Sequence, residues 1–172
     1  MMDPMSRHVM KTILMAAAAA LWLPAASLAQ GANVAFGGGL TQDTSLPVEI
    51  ESDELQVNQA DGTAIFLGNV RVVQGPMRLA AQSVRVEYAP EGGGIRRLHA
   101  SGGVTLANER EAAEAQEAIY TIESGEVVMT GDVLLTQGPN TLAGQRLVID
   151  LTAGTGRMEG RVQTVFRPGT SP

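Results

Sequence analysis

Apolar and polar residues alternate in short runs along most of this chain, as in Val48-Glu49-Ile50-Glu51, Val84-Arg85-Val86-Glu87-Tyr88 and Leu147-Val148-Ile149-Asp150-Leu151. A period of two with β-branched residues is the signature of strands with one buried face. Turn-forming residues break the runs every six to ten positions or so, at Ala60-Asp61-Gly62, Gly68-Asn69, Gln74-Gly75-Pro76, Pro90 to Gly94, Gly102-Gly103, Ser124-Gly125, Gly131-Asp132, Gln137-Gly138-Pro139 and Ala153-Gly154. This punctuation predicts hairpins and meanders of strands about five residues long. One segment, Glu109 to Ala118 (EREAAEAQEA), has the composition of a helix. It is assigned to a strand because an internal repeat places it there.

That repeat is visible when GNVRVVQGPMRLAAQSVRV (68–86) is set above GDVLLTQGPNTLAGQRLVI (131–149). At this offset Gly68, Val70, Gln74, Gly75, Pro76, Leu79, Ala80 and Gln82 meet identical residues. Weaker copies restart at Gly102-Gly103-Val104 and Gly160-Arg161-Val162, and Ala115-Gln116-Glu117-Ala118 echoes Ala81-Gln82-Ser83-Val84. A unit of about 30 residues stacked some four times predicts an all-β solenoid or an elongated, folded-over sheet, in which neighbouring units together bury what one cannot bury alone.

Composition then sets the compartment. With 172 residues and 44% hydrophobic content, the chain fits one domain with a sizeable core. The N-terminus reads as a cleavable export signal over residues 1–29: Lys11 precedes an apolar run from Thr12 to Leu23, and Ser27-Leu28-Ala29 offers small residues for cleavage before Gln30. Met10 opens a tighter form of the same signal. Residues 30–46 are rich in Gly, Ser and Thr and read as a flexible lead-in, 47–166 as the β domain, and 167–172 as a flexible tail. Without residues 1–29, which hold Asp3, Arg7 and Lys11, ten basic residues face 17 acidic ones, a net charge of −7. So acidic a chain is a poor match for nucleic acid. It has no cysteine, which excludes disulfides, zinc-thiolate sites, a cysteine nucleophile and a lipid-anchored N-terminal cysteine. An exported, disulfide-free protein points to the periplasm.

Candidate chemistry is sparse, and neither a cofactor nor a metal is expected. His99 is the single histidine beyond the signal, and with Ser101 nearby it is the one starting point for an enzyme reading; nothing else supplies a triad. It reads as a solvent-facing strand residue. Glu51-Ser52-Asp53-Glu54 lacks the spaced oxygen ligands of a calcium loop. Arg96-Arg97 is too brief for a phosphate patch, and Gly92-Gly93-Gly94 is a turn without phosphate-loop context. What remains is an inward-facing apolar set that includes Val48, Ile50, Val57, Phe66, Val72, Leu106, Tyr120, Ile122 and Phe166. Its default reading is a sealed core. Aromatic content of only 3% and few large fillers favour an interior that does not close along its length, leaving an apolar groove for lipid.

Pro47-Val48-Glu49-Ile50-Glu51-Ser52-Asp53, Phe66-Leu67-Gly68-Asn69-Val70 with Gln74-Gly75, and Met129-Thr130-Gly131-Asp132-Val133 with Gln137-Gly138 together resemble the periplasmic lipopolysaccharide-transport family of the A type, the organic-solvent-tolerance-like family. The resemblance runs from about Pro47 to Phe166. It implies an elongated, open, V-shaped β jelly roll of about 16 short antiparallel strands that binds lipopolysaccharide by its lipid A acyl chains. Such protomers stack end to end, bridging an inner-membrane export complex with its anchor protein to an outer-membrane lipopolysaccharide translocon. Groove positions then fall on Val48, Ile50, Leu106, Tyr120 and Ile122, with Val57, Phe66 and Val72 added from the inward set. The stacking edges fall on 48–57 and 161–166, with Val48, Ile50, Val162 and Phe166 as contact residues. Two other readings stay beside this one: a related export component of the same fold, and a ligand-free structural β scaffold.

Overall fold

The computed structural model describes residues 32–35, 41–90 and 93–167. The export signal expected over 1–29 lies outside the described residues, as do 168–172 of the tail. Eleven strands follow in order: β1 (Ala32–Ala35), β2 (Glu49–Glu51), β3 (Glu54–Asn58), β4 (Thr63–Gln74), β5 (Met77–Tyr88), β6 (Ile95–Ala107), β7 (Glu111–Thr121), β8 (Glu126–Gln137), β9 (Asn140–Asp150), β10 (Thr155–Glu159) and β11 (Gln163–Val165). All belong to one antiparallel sheet. Strands β4 to β10 form an uninterrupted meander, β2 and β3 both pair with β4 at one end, β10 and β11 both pair with β9 at the other, and β1 lies outside β10. The segment of helical composition is β7: pairing on both sides and the alternating burial of Glu111, Ala113, Ala115, Ala118 and Tyr120 override its local propensity.

The long strands are not straight. Between Leu67 and Val70, Ser101 and Val104, and Thr130 and Val133, two residues of one strand stand opposite a single glutamine of its neighbour: Gln82, Gln116 and Gln145 respectively. These are β-bulges, which bend a strand and change its twist. The bulged residues all have positive φ: 75° at Gly68 and 47° at Asn69, 83° and 87° at Gly102 and Gly103, 86° and 48° at Gly131 and Asp132. Glycine is needed at the first position for a second reason, since a Cβ on Gly102 or Gly131 would come within 2.8 Å of the Gln82 or Gln116 Cβ. Gly160-Arg161 repeats the geometry where β10 breaks from β11, and at the opposite edge Asp53 takes the glutamine's place, its amide donating to the Gly68 carbonyl (3.0 Å) and its carboxylate accepting from Asn69 (2.7 Å).

Because the bulges line up from strand to strand, they form one crease across the sheet. The first arm holds β3, residues 63–67, 83–88, 95–101, 117–121, 126–130 and 146–150, then β10 and β1. The second holds β2, residues 70–74, 77–81, 104–107, 111–115, 133–137 and 140–144, then β11. Gly68-Asn69, Gly102-Gly103 and Gly131-Asp132 are therefore bends within strands, where the sequence suggests turns. Six long strands with two straight segments each, together with β1, β2, β3, β10 and β11, make seventeen short antiparallel segments, one more than the sixteen or so expected, the extra one being β1.

The lead-in also differs from expectation. Its glycine- and serine-rich composition suggests flexibility, yet β1 pairs with β10 and residues 41–46 form a strap over the mouth between the arms. The Gln42 amide donates to the Leu151 carbonyl at the tip of the first arm (2.9 Å). Across the mouth, Gln74 of the second arm donates through Nε2 to the Thr44 (3.0 Å) and Leu46 (2.9 Å) carbonyls. Within the strap Asp43 accepts from the Ser45 hydroxyl (2.5 Å) and amide (2.9 Å), bonds that hold its carboxyl below the usual range. Strand-end donors and acceptors, invisible to local composition, hold this segment.

Candidate apolar groove

The inner faces of the two arms are lined by rows of side chains in cross-strand register. On the second arm Ile50, Val72, Leu79, Leu106, Ala113, Leu135 and Leu142 follow one another from β2 to β9. On the first, Val57, Ala64, Val86, Leu98, Tyr120, Val127 and Ile149 do the same from β3 to β9. The groove candidates thus belong to a common interior, with Ile50, Val72 and Leu106 on one wall and Val57 and Tyr120 on the other. Phe66 lies in the next row of the first arm, beside Val84.

Their exposure divides them. Val72, Leu106 and Tyr120 are each 1% exposed, and Val84, Leu135, Leu147 and Ile149 are not exposed at all. Through the middle of the molecule the arms are therefore packed together without an open channel. Val48, Ile50, Phe66, Ile122 and Val162 are partly buried against this core, whereas Val57 (64% exposed) and Phe166 (73%) stand largely in solvent at opposite ends. Val57 has the inward register but no strand beyond β3 to cover it. Small residues make the close approach of the arms feasible: Ala100, Ala113, Ala115 and Ala118 are buried, and a Cβ on Gly144 would lie 2.7 Å from the Met158 side chain.

The strand tips add a polar lip that periodicity understates. Gln74 continues the inward phase of Val70 and Val72 and is 1% exposed; it accepts from the Tyr120 hydroxyl across the interior (2.8 Å) while holding the strap. Burial pushes the Tyr120 phenol up to about 12, against the smaller opposing effect of the Gln74 bond. Glu111, also buried, accepts from Gln137 Nε2 (3.0 Å), and its second carboxylate oxygen has no hydrogen-bond partner among the described residues. A polar residue standing in an otherwise apolar inward phase is the signal by which Gln74 and Glu111 are recognisable in the sequence.

Outside, His99 Nε2 lies 3.4 Å from the Glu117 carboxylate, with both side chains exposed. Ser101 is not among its hydrogen-bond partners, so no nucleophile is assembled there. Arg96 and Arg97 are both directed to Glu87, at 2.7 and 3.8 Å. Glu51 ends β2, Asp53 lies in the break and Glu54 begins β3, and among the described residues no three acidic or histidine side chains cluster as metal ligands. No helix among the described residues is long and apolar enough to cross a membrane.

The LptA/(LptD N-terminal domain) LPS transport protein family matches residues 49–155, from β2 to the start of β10. The chain belongs to this family. Membership makes it a lipopolysaccharide-transport protein and not an enzyme. An uncharacterized protein of Rhizobium meliloti (strain 1021) is 31% identical over 157 residues, covering 85% of this chain and 84% of its own. The lipopolysaccharide export system protein LptH of Pseudomonas aeruginosa is 23% identical over 150 residues (81% and 84%), and LptA of Escherichia coli K12 is 26% identical over 129 (72% and 69%). The crystal structure of LptH, described as the LptA-homologous periplasmic component of the lipopolysaccharide transport device of P. aeruginosa, superposes with a TM-score of 0.66 at 19% identity over 74% of this chain and 99% of its own. The creased antiparallel sheet is thus the β jelly roll of the family.

Proposed function

We propose that the protein carries lipopolysaccharide across the periplasm, with the lipid A acyl chains held between the two arms. It is exported by the signal over 1–29 and joins end to end with further copies into a soluble bridge. The bridge's outer contacts are the anchor protein of the inner-membrane export complex and the outer-membrane translocon. One observation carries this reading: inside the polar lip at the strand tips, the rows from Ile50 to Leu142 and from Val57 to Ile149 line the two inner faces with apolar side chains save for the Tyr120 hydroxyl, and bear no charge. Each methylene moved from water into such a surface is worth about 0.8 kcal/mol, so an acyl chain of about a dozen carbons is held back from water by roughly 10 kcal/mol. Nine strands in the first arm and eight in the second, at about 4.8 Å spacing, give a path of about 35–40 Å, short of a periplasm and in keeping with several copies in series.

A second reading, a scaffold without ligand, is favoured by the sealed middle. A photoreactive phenylalanine analogue at Phe66, partly buried at the uncovered end of the first arm, separates the two in cells, with Arg85 on the outer face as control. A lipid adduct at Phe66 and none at Arg85 is expected. A folded, exported protein that yields no lipid at either position overturns the carrier reading and leaves the scaffold.

A further inference from the structure

The C-terminal end of the sheet is finished differently on its two arms. On the second arm β11 pairs with β9 alone, and among the described residues no strand lies on its other side. On the first arm β10 is covered by β1, in the antiparallel register Ala32 to Met158, Asn33 to Arg157, Val34 to Gly156 and Ala35 to Thr155. The chain's own N-terminal strand therefore occupies the outer edge of four of the five β10 residues.

The other end of the molecule is built to the same measure. β3 and β10 are each five residues long, β2 and β11 each three, and both pairs are broken in the middle, at Ser52-Asp53 and at Gly160-Arg161-Val162. The edge formed by β2 and β3 runs from the second arm to the first, and that formed by β10 and β11 runs from the first to the second. Laid together in two copies they are antiparallel and continue the meander. Charge favours the same match: residues 47–58 carry Glu49, Glu51, Asp53 and Glu54 and no basic residue, while 155–167 carry Arg157, Arg161 and Arg167 against Glu159. In a second copy docked this way, β3 would take the place that β1 holds.

We propose that β1 is a self-cap: it closes the β10 edge of the free protein, and a second copy joins by strand exchange, its β3 displacing β1 while its β2 pairs with the open β11. This rests on the end-to-end reading above. An uncovered edge strand is a template for indiscriminate pairing, and a strand from the same chain protects it at a high effective concentration. Because the cap spans four residues and the incoming edge eight, the cap yields to the matching partner and resists shorter ones.

The test compares the intact chain with two variants, deletion of residues 32–38 and Val34→Pro, since a proline removes a ladder donor from β1 and leaves β2, β3, β10 and β11 untouched. Sedimentation equilibrium over a concentration series reads association, and hydrogen exchange reads residues 32–35. Both variants are expected to self-associate about tenfold or more tightly than the intact chain, and residues 32–35 to be protected in the dilute protein and exposed once it assembles. Unchanged association in both variants, with an intact chain that still stacks, overturns the cap and leaves the end-to-end reading standing. Unprotected residues 32–35 in the dilute protein also overturn it. If neither the intact chain nor the variants associate, the end-to-end reading falls and the cap with it.

Discussion

The middle of the sheet and its two ends are made from the same rows of side chains and end in opposite states. Leu135, on β8 and two strands inside the edge strand β11, is fully buried, while Val57, at the head of the facing row, is 64% exposed. Neither residue type nor phase distinguishes them. What differs is the number of neighbouring strands, two in the middle and one at the edge. The ends are thus an interrupted repetition of the middle, left in want of one more strand.

An acidic substitution should break this comparison most sharply. Leu135→Asp places an unpaired carboxylate where no water reaches, and is expected to cost about 4 kcal/mol or more, enough to unfold the domain; Val57→Asp should stay within about 0.5 kcal/mol. Urea denaturation of the two variants checks this, and comparable losses would show that the ends are as closed as the middle. Leu106→Asp shares the fate of Leu135→Asp, because Leu106 is buried whether or not lipid ever enters.

The second expectation concerns the phenol that only the middle buries. Above pH 10 the unfolded chain loses the Tyr120 proton while the folded protein retains it to about 12. Stability should therefore fall as pH rises through that window, by up to about 2.5 kcal/mol, and Tyr120→Phe should lack that part of the decline. Denaturation midpoints of both proteins at about pH 9 and pH 11.5 measure the difference. Tyr88, 43% exposed, is present in both and cancels.

The smallest effect belongs to the ends. Glu49→Lys with Glu51→Lys should change the stability of the free chain by less than about 1 kcal/mol, because exposed charges are well solvated. The same pair should weaken end-to-end association in low salt and matter less at high salt. Association that is indifferent to this reversal would detach the acidic edge from the joint.

Much of this was legible in the sequence. Alternation marks the strands, the repeat carries Glu109 to Ala118 into the sheet against its own propensity, and the inward phases of β4, β5 and β9 can be read directly. The bulges could not be told from turns, because Gly68-Asn69 and Gly131-Asp132 use the residues that a hairpin loop uses to reach positive φ. The distinguishing feature is a partner far along the chain, Gln82 or Gln145, and the recurrence of glutamine in Ala81-Gln82, Ala115-Gln116 and Gly144-Gln145 is its trace. The strap escaped for a related reason: what orders residues 41–46 is Leu151 and Gln74, and nothing in their own composition. Among the groove candidates, phase predicts the wall on which Val57 and Leu106 lie, but exposure depends on how many strands follow, which phase does not record.

The bulge glycines Gly68, Gly102, Gly131 and Gly160 recur at intervals of 29 to 34 residues, and each interval spans two strands. At about 4.8 Å per strand, one interval adds about 10 Å of trough. The crease is thus a ruler. Gain or loss of a single hairpin with its Gly-x bulge and facing glutamine would change the reach of the molecule by one graduation and leave both ends as they are, so that a lineage can adjust the span of its carrier in increments far finer than the length of a whole subunit.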